Sequence, residues 1–308
     1  VEKGEMMVRA AILIRRFEQR RTHRDLAGAG KWVTMETRKQ RNQRLEIMGK
    51  ENQNMSTGKT DLSGMQPSGT NTQPERESGF NEMVHAYIAA KFYHYLTERF
   101  GERGKQAFIH GTQLHAGQRG RRMAQRAIRN GEELNFETYS RYGEWVNTET
   151  AERLGLSNQS EVVSWGPDFE NRVYACPWQK QFEAMGMTEA GEVYCQHLDN
   201  SICRGFNPYL SYEVTQTLHR SDCCIHIVRN AGMKEGTDCS KRPEGLKSFE
   251  YHCANSFWAY SEVSAAIFQA QGEAVSAAVL ADFERDYGKE MADAVMRYRD
   301  VNFNVVDG

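Results

Sequence analysis

The chain has 308 residues, of which 39% are hydrophobic and 10% aromatic, and its formal net charge is −2 at pH 7. This composition is typical of a soluble globular protein with one large domain or two small ones. The near-neutral balance gives no general attraction for nucleic acid or an anionic membrane surface, so neither is expected as a partner. No apolar run reaches the roughly 20 residues of a membrane span or the roughly 7–15 residues of a secretory signal.

The N-terminal part of the chain differs in charge and composition from the rest. Its first 60 residues carry 14 Lys and Arg against 7 Asp and Glu, and two segments, "AAILIRRFEQRR" and "METRKQRNQRLEIM", are expected to form basic amphipathic helices. From Lys50 to Gly79 the chain has no aromatic residue, so it buries too little apolar surface to offset its ordering entropy. We therefore expect residues 1–79 to be a basic, largely disordered extension and linker, and residues 80–308 to form a single domain.

Three helices are predicted at the start of this domain. Apolar residues between Met83 and Tyr93 recur with a period near 3.6, which predicts a helix that ends at Gly101. A second helix is predicted over residues 105–130 and a third over residues 135–155. The first half of the domain is therefore expected to be helical.

Strand patterns appear after Ser160. The stretch "SEVVSWGPDFENRVYACPW" predicts two strands that flank a Gly-Pro turn, and residues 180–206 predict two helices, the second of which ends before Pro208. Residues 212–218 and 224–228 then alternate as a hairpin does, and residues 255–300 predict two long helices. The fold class expected from these elements is α+β: a helical N-terminal half, a small antiparallel sheet with a hairpin, and two C-terminal helices.

The seven cysteines lie between Cys176 and Cys253. An odd number that includes an adjacent pair does not fit a secreted disulfide framework, so a cytoplasmic protein with free thiols is expected. The chain has no Cys-x-x-Cys, no His-Glu-x-x-His and no compact set of four ligands. We therefore expect neither a metal nor another cofactor.

The sequence "CQHLDNSIC" places Cys195, Asp199 and Cys203 at four-residue intervals on one face of a predicted helix. The common interpretation of such cysteines is that they pack in the core. The functional interpretation is a nucleophile beside an acid. A thiol needs a nearby base or cation to become a thiolate, whereas a neighbouring carboxylate raises its pKa, so Asp199 is better suited to proton transfer or substrate binding. His197 or a substrate cation would then complete the site.

Two further stretches carry candidate site residues. In "HRSDCC", Asp222 lies in a turn, where it either caps backbone donors or contributes to a site, and a strand would point Cys223 and Cys224 to opposite faces. The stretch "HAGQRGRR" is expected to form a helix with an exposed basic face and one arginine turned toward an anionic group.

Five fragments follow one another in the second half of the domain: "YACPWQ", "YCQHLDN", "GFNPYL", "TQTL" and "RSDCC". In this order they resemble the L-2-amino-thiazoline-4-carboxylic acid hydrolase family, and the resemblance extends over about residues 80–301. Ser221 stands where the family pattern has glycine. The hairpin with Asp-x-Cys also resembles the 4-vinyl reductase domains, which bind small molecules.

The resemblance implies a hydrolase that acts on a carbon–nitrogen bond other than a peptide bond, in a small cyclic amidine-like ring that bears a carboxylate. It implies three groups of site residues. The catalytic group comprises Cys195, Asp199, Asp222 and Cys224, with Cys195 as nucleophile and either Asp as the partner of the protonated ring nitrogen. The group that binds the carboxylate or other parts of the substrate comprises Arg119, Arg122, His115 and Asn207.

Two alternatives are left open by the residues. In the first, the carboxylates activate water and the cysteines only pack. In the second, the domain is a non-catalytic binding or sensor domain of the 4-vinyl reductase type, and the basic N-terminal arm contacts a partner. Homo-oligomer formation is also left open.

Overall fold

The structure, a computed structural model, describes residues 79–306. The expectation of a disordered extension with basic helices falls on residues 1–78, which lie outside the described residues, and it remains a prediction. The described part consists of nine α-helices, one 3₁₀ helix and four strands. In chain order the elements are α1 (Glu82–Phe100), α2 (Glu102–Arg129), α3 (Phe136–Arg141), α4 (Glu149–Arg153), β1 (Gln159–Ser164), β2 (Phe169–Ala175), α5 (Pro177–Ala184), α6 (Thr188–Phe206), β3 (Ser211–Gln216), β4 (Cys224–Arg229), the 3₁₀ helix (Pro243–Gly245), α7 (Phe249–Phe268), α8 (Ala270–Tyr287) and α9 (Lys289–Met296).

The four strands form one antiparallel sheet with the order β1-β2-β4-β3. The predicted hairpin is present as β3 and β4, and β2 pairs with β4 on its other side. In this register Asn171 lies opposite His226, and Val173 lies opposite Cys224. Since side chains two residues apart point to the same face of a strand, Cys224 and His226 face the same side of the sheet.

Helices α1, α2 and α7 share an aromatic core. The ring of Phe92 in α1 lies 5.6 Å from Phe257 and 5.0 Å from Tyr260, both in α7, and Phe108 of α2 stacks on the same tyrosine at 5.1 Å. Rings at these separations combine a large buried area with favourable ring-to-ring geometry. The α1 helix starts at an Asn81 cap, whose Oδ1 accepts the backbone N–H of Val84 at 3.0 Å.

Helices α2 and α6 approach each other closely because glycines line their contact. A Cβ atom at Gly120 would lie 2.0 Å from the carbonyl oxygen of Ile202, and one at Gly205 would lie 2.5 Å from the carbonyl oxygen of Gly117. Both distances are well below a normal van der Waals contact. The glycines of "GQRGRR" therefore allow this helix packing, which brings the side chains of the two helices to one cavity.

The α+β fold predicted from the sequence is confirmed, and in two places the chain forms one helix more than predicted. The helix expected over residues 135–155 is divided into α3 and α4, because the chain between them carries the Glu144 carboxylate into the core. At the C-terminus, Gly288 with φ 93° ends α8 and a third helix, α9, follows it. Within residues 79–306 no helix combines the length and apolarity that crossing a bilayer would require.

Candidate functional site

A cavity of about 390 Å³ lies between the inner face of the sheet and helices α1, α2, α6 and α7. This volume falls in the range of small-molecule binding sites. Its wall contains four of the eight predicted site residues: His115 and Arg119 from α2, and Cys195 and Asp199 from α6. A fifth, Cys224, joins them from the start of β4. The structure thus brings five of the predicted residues to one cavity.

Asp199 faces a tyrosine and a histidine of the sheet. Its Oδ2 atom lies 3.9 Å from Nδ1 of His226, and the hydroxyl of Tyr212 lies 2.7 Å from the same nitrogen. Burial, with the nearby Asp199, raises the pKa of Tyr212 well above its usual value, so the phenol keeps its proton. The three side chains line the cavity together as one cluster of groups that are able to donate or accept protons.

Cys195 lies among groups that keep its thiol protonated. Burial is the main cause of a pKa well above the usual value, and Cys176, Cys224 and Asp199 add to it. Cys176 and Cys224 have their own pKa values raised by burial, to about 12 and about 11. All seven cysteines of the chain lie in the described part and are unpaired. The thiols of Cys176, Cys195 and Cys224 are therefore neutral at pH 7 unless a base takes a proton from one of them.

Such a base is present beside Cys195. Its Sγ atom lies 3.6 Å from Nε2 of His219, in the turn after β3. Burial lowers the pKa of His219, so this imidazole is neutral and able to accept a proton. His219 fits against α6 because residue 191 is a glycine: a Cβ atom there would lie 2.2 Å from Cε1 of the histidine.

Arg119 brings a positive charge to the cavity without a carboxylate partner. Among residues 79–306 it makes no hydrogen bond and no ion pair within 4.0 Å, and its Nε atom is buried with no acceptor. The charges of Asp199 and Glu144 lie near enough to oppose the effect of burial on its pKa. A guanidinium stays charged in proteins, so this site attracts an anion.

Three buried histidines line the cavity as neutral rings. Burial, together with Arg119, lowers the pKa of His115 and of His252 to about 3, and burial lowers that of His85 as well. Nδ1 of His85 accepts the indole N–H of Trp178 at 3.0 Å, so the proton of this ring is assigned to Nε2. These rings provide uncharged donors and acceptors for a ligand.

Three predicted site residues lie elsewhere, and the structure corrects their assignment. Asp222 is exposed and does not belong to the cavity wall, because the turn before β4 points it toward solvent. Arg122 is fully buried with Glu144, at 2.7 Å between Nη2 and Oε2, so it cannot hold a substrate carboxylate. Asn207 donates through Nδ2 to the carbonyl of Leu134 at 2.7 Å. This bond ties the end of α6 to the loop between α2 and α3.

Other residues of the site were not found from the sequence. His226 was detectable, since it lies two residues after Cys224 in a predicted strand and must share its face. Tyr212, His219 and Lys241 carried no comparable signal, because their contacts join segments that are distant in the chain. Cys203, which shares the helix face of Cys195 by spacing, is fully buried outside the cavity wall.

The described residues contain no group of three or more His, Cys, Asp or Glu side chains arranged to hold a metal ion. Comparison with curated proteins and with solved structures finds no match for the chain. The family model described as L-2-amino-thiazoline-4-carboxylic acid hydrolase matches residues 81–226, from the cap of α1 to His226 of β4. This range of the chain, which supplies most of the cavity wall, therefore matches the L-2-amino-thiazoline-4-carboxylic acid hydrolase family. The resemblance found in the sequence is confirmed over this range, and its extension to residue 301 stays a prediction.

Proposed function

We propose that the protein is a hydrolase that opens a C–N bond in a small cyclic amidine-like ring bearing a carboxylate. The family match supports hydrolase chemistry. The observation that carries the proposal is the arrangement of Arg119 and Asp199, an arginine without an ion pair and a carboxylate on facing helices of one cavity. Such a cavity offers one contact for a substrate carboxylate and one base for the reaction.

Arg119 binds the carboxylate in this proposal. Its guanidinium can donate two parallel hydrogen bonds to the two oxygens, which fixes the plane and position of the anion. Binding at Arg119 would place the attached ring toward α6 and the inner face of the sheet. There Asp199, His226 and Tyr212 lie together.

Asp199 acts as the general base on water. It takes a proton from the water, whose oxygen forms a bond to the amidine carbon and gives a tetrahedral intermediate. Asp199 passes this first proton to the ring nitrogen as the C=N bond becomes a single bond. The hydroxyl group of the intermediate then loses its proton to Asp199 and becomes a C=O group as the ring C–N bond breaks, and Asp199 passes this second proton to the leaving nitrogen, directly or through His226. The overall change adds one water across the bond and needs no oxidant or reductant.

Cys195 is not the nucleophile in this scheme. The raised pKa of its thiol opposes formation of a thiolate, since burial and the neighbouring Asp199 both disfavour the negative charge. His219, at 3.6 Å from the sulfur, is the base in contact with it. Direct attack by sulfur, with His219 accepting the thiol proton, is the competing route and predicts a covalent intermediate.

The binding or sensor interpretation and the enzyme interpretation require different groups in the cavity. A sensor for an apolar ligand needs an apolar pocket and gains nothing from burying an arginine without a partner. The charged and titratable groups of this cavity instead favour an anionic ligand and proton transfer. This observation supports the enzyme over the sensor.

The proposal is tested by turnover of 2-aminothiazoline-4-carboxylate and a panel of related ring carboxylates. We expect ring opening without release of free thiol, since the C–S bond stays intact. Mass spectrometry detects the ring-opened product, and a thiol reagent measures free thiol. Stoichiometric thiol release would contradict C–N opening and indicate cleavage of the other ring bond. Binding of the panel without any turnover would contradict the enzyme and favour the sensor.

A further inference from the structure

A second cation reaches the same cavity from a different part of the chain. Lys241 lies in the loop between β4 and α7, outside the residues that match the family, and it lines the cavity together with Arg119. The residue is exposed to solvent on one side, and on the other the surrounding protein and the charge of Arg119 lower the pKa of its ammonium to about 8. It therefore remains mostly charged at pH 7.

We propose that Arg119 and Lys241 form a two-part anion site, and that Lys241 is a specificity residue that restricts the cavity to ligands with a carboxylate or a similar anionic group. The proposal rests on the hydrolase function in one respect only, which is that the anion is part of the substrate. The anion site itself would exist in either an enzyme or a sensor.

The charges around the two cations support this assignment. Neither cation has a carboxylate within 4.0 Å among residues 79–306, whereas two neighbouring buried cations of α2, Arg122 and Arg126, both pair with Glu144. Two like charges close to each other are unfavourable unless an anion lies between them. The carboxylate in the cavity wall is that of Asp199, which is needed as a base in the proposed reaction.

Local packing holds Lys241 in this position. Its ammonium donates to the backbone carbonyl of Ser140 at the end of α3, and its side chain crosses Gly143, where a Cβ atom would lie 2.8 Å from Nζ. The next residue, Arg242, pairs with Glu132 and lies over the ring of Tyr142, which anchors the loop. Because one carbonyl among residues 79–306 accepts from the ammonium, two of its three donors remain for a ligand.

The cation pair defines the ligand class. A carboxylate between Arg119 and Lys241 would receive hydrogen bonds from both, and a neutral amide or ester would leave one or both cations uncompensated. The ligand is therefore a small organic monoanion whose remaining part contacts the neutral histidines and aromatic rings of the wall.

The test compares Lys241→Met with a matched control, Lys234→Met, which removes an exposed lysine of the same loop outside the cavity wall. Binding is followed by the fluorescence of Trp145 and Trp178, which line the cavity, so the readout needs no turnover. The probes are 2-aminothiazoline-4-carboxylate, its carboxamide, and benzoate as an unrelated carboxylate. Urea unfolding of each variant shows whether the fold is retained.

We expect Lys241→Met to weaken carboxylate binding at least about tenfold, as loss of a charge-assisted hydrogen bond would. Binding of the carboxamide, which is weak in the wild type, should not change, and Lys234→Met should bind like the wild type. Equal carboxylate affinity in Lys241→Met and wild type, or a wild type that binds neither carboxylate, would overturn the anion site. If binding depends on Lys241 but no ring compound is hydrolysed, the anion site stands and the hydrolase proposal fails.

Discussion

The thiol of Cys195 and the imidazole of His219 are in contact, with 3.6 Å between Sγ and Nε2. The two residues lie on different elements, α6 and the turn after β3, and a glycine one helical turn before the cysteine makes the contact possible. A side chain at that position would overlap the imidazole. The contact therefore depends on three residues, of which only the cysteine was a predicted site residue.

Replacement of Gly191 by Ala should displace His219 without removing any functional group. The new Cβ would lie 2.2 Å from Cε1 of the histidine and 2.8 Å from Cγ of Phe182, so one of these rings must move. We expect a loss of stability of about 1–3 kcal/mol, as for overpacked positions, measured by urea unfolding. If sulfur is the nucleophile, the rate falls as well; an unchanged rate together with a destabilised fold indicates that His219 only packs.

The roles of Asp199 and Cys195 can be separated by two single replacements. If Asp199 activates water, Asp199→Asn should lower kcat about 10²- to 10⁴-fold, the usual contribution of a general base. Cys195→Ala should then keep most of the activity, because its thiol is protonated and only lines the wall. The measurement is steady-state turnover, with circular dichroism as a check on folding.

The opposite pattern would support the covalent route. In that case Cys195→Ala is inactive, and rapid quenching of the wild type followed by mass spectrometry detects the substrate bound to Cys195. Observation of this adduct in a kinetically competent amount would contradict direct attack by water.

Glu144→Gln should destabilise the domain strongly. Glu144 is fully buried and joins Arg122 at 2.7 Å and Arg126 at 2.6 Å, so its neutralisation leaves two buried guanidinium groups uncompensated. Removal of one member of a buried ion pair costs about 3–5 kcal/mol, and we expect a loss of this order at pH 7 in chemical unfolding.

The same carboxylate predicts a dependence of stability on pH. Burial acts to raise the pKa of Glu144, but the charge and hydrogen bonds of Arg122 outweigh it and bring the pKa to about 2. A carboxylate with a lowered folded-state pKa stabilises the protein fully above its unfolded value, near 4.5, and this contribution is lost as the pH falls toward 2. The stability difference between wild type and Glu144→Gln should therefore shrink below about pH 4.5. A difference that stays constant down to pH 2.5 would contradict this assignment.

Gly120→Ala should separate helices α2 and α6 and thereby disturb the cavity. Its Cβ atom would lie 2.0 Å from the carbonyl of Ile202, a backbone atom that cannot move alone. We expect a loss of at least about 2 kcal/mol in unfolding free energy, with weaker ligand binding. Gln113→Ala, at an exposed position of the same helix, is the control and should be near neutral.

Part of the site was accessible from local sequence. Four-residue spacing put Cys195 and Asp199 on one face of α6, and both line the cavity. Alternation in a strand implied that at most one of Cys223 and Cys224 faces the site, and the family resemblance selected Cys224, which lines the cavity. The same alternation implied the position of His226. Spacing also put Cys203 on this face of α6, and it packs in the core, as the common interpretation of such cysteines predicts.

The sequence by itself determined the elements and their order, because helix and strand periods, caps and turn glycines act over a few residues. It also determined the family resemblance, which depends on the order of short motifs. It did not distinguish Arg119 from Arg122, which lie three residues apart in "GQRGRR". Only the tertiary structure decided that Arg122 pairs with Glu144 while Arg119 faces the cavity with Lys241. The physical reason is that the packing of segments distant in the chain decides which charged side chains lie close together. A local sequence pattern contains no information about the distances between such segments.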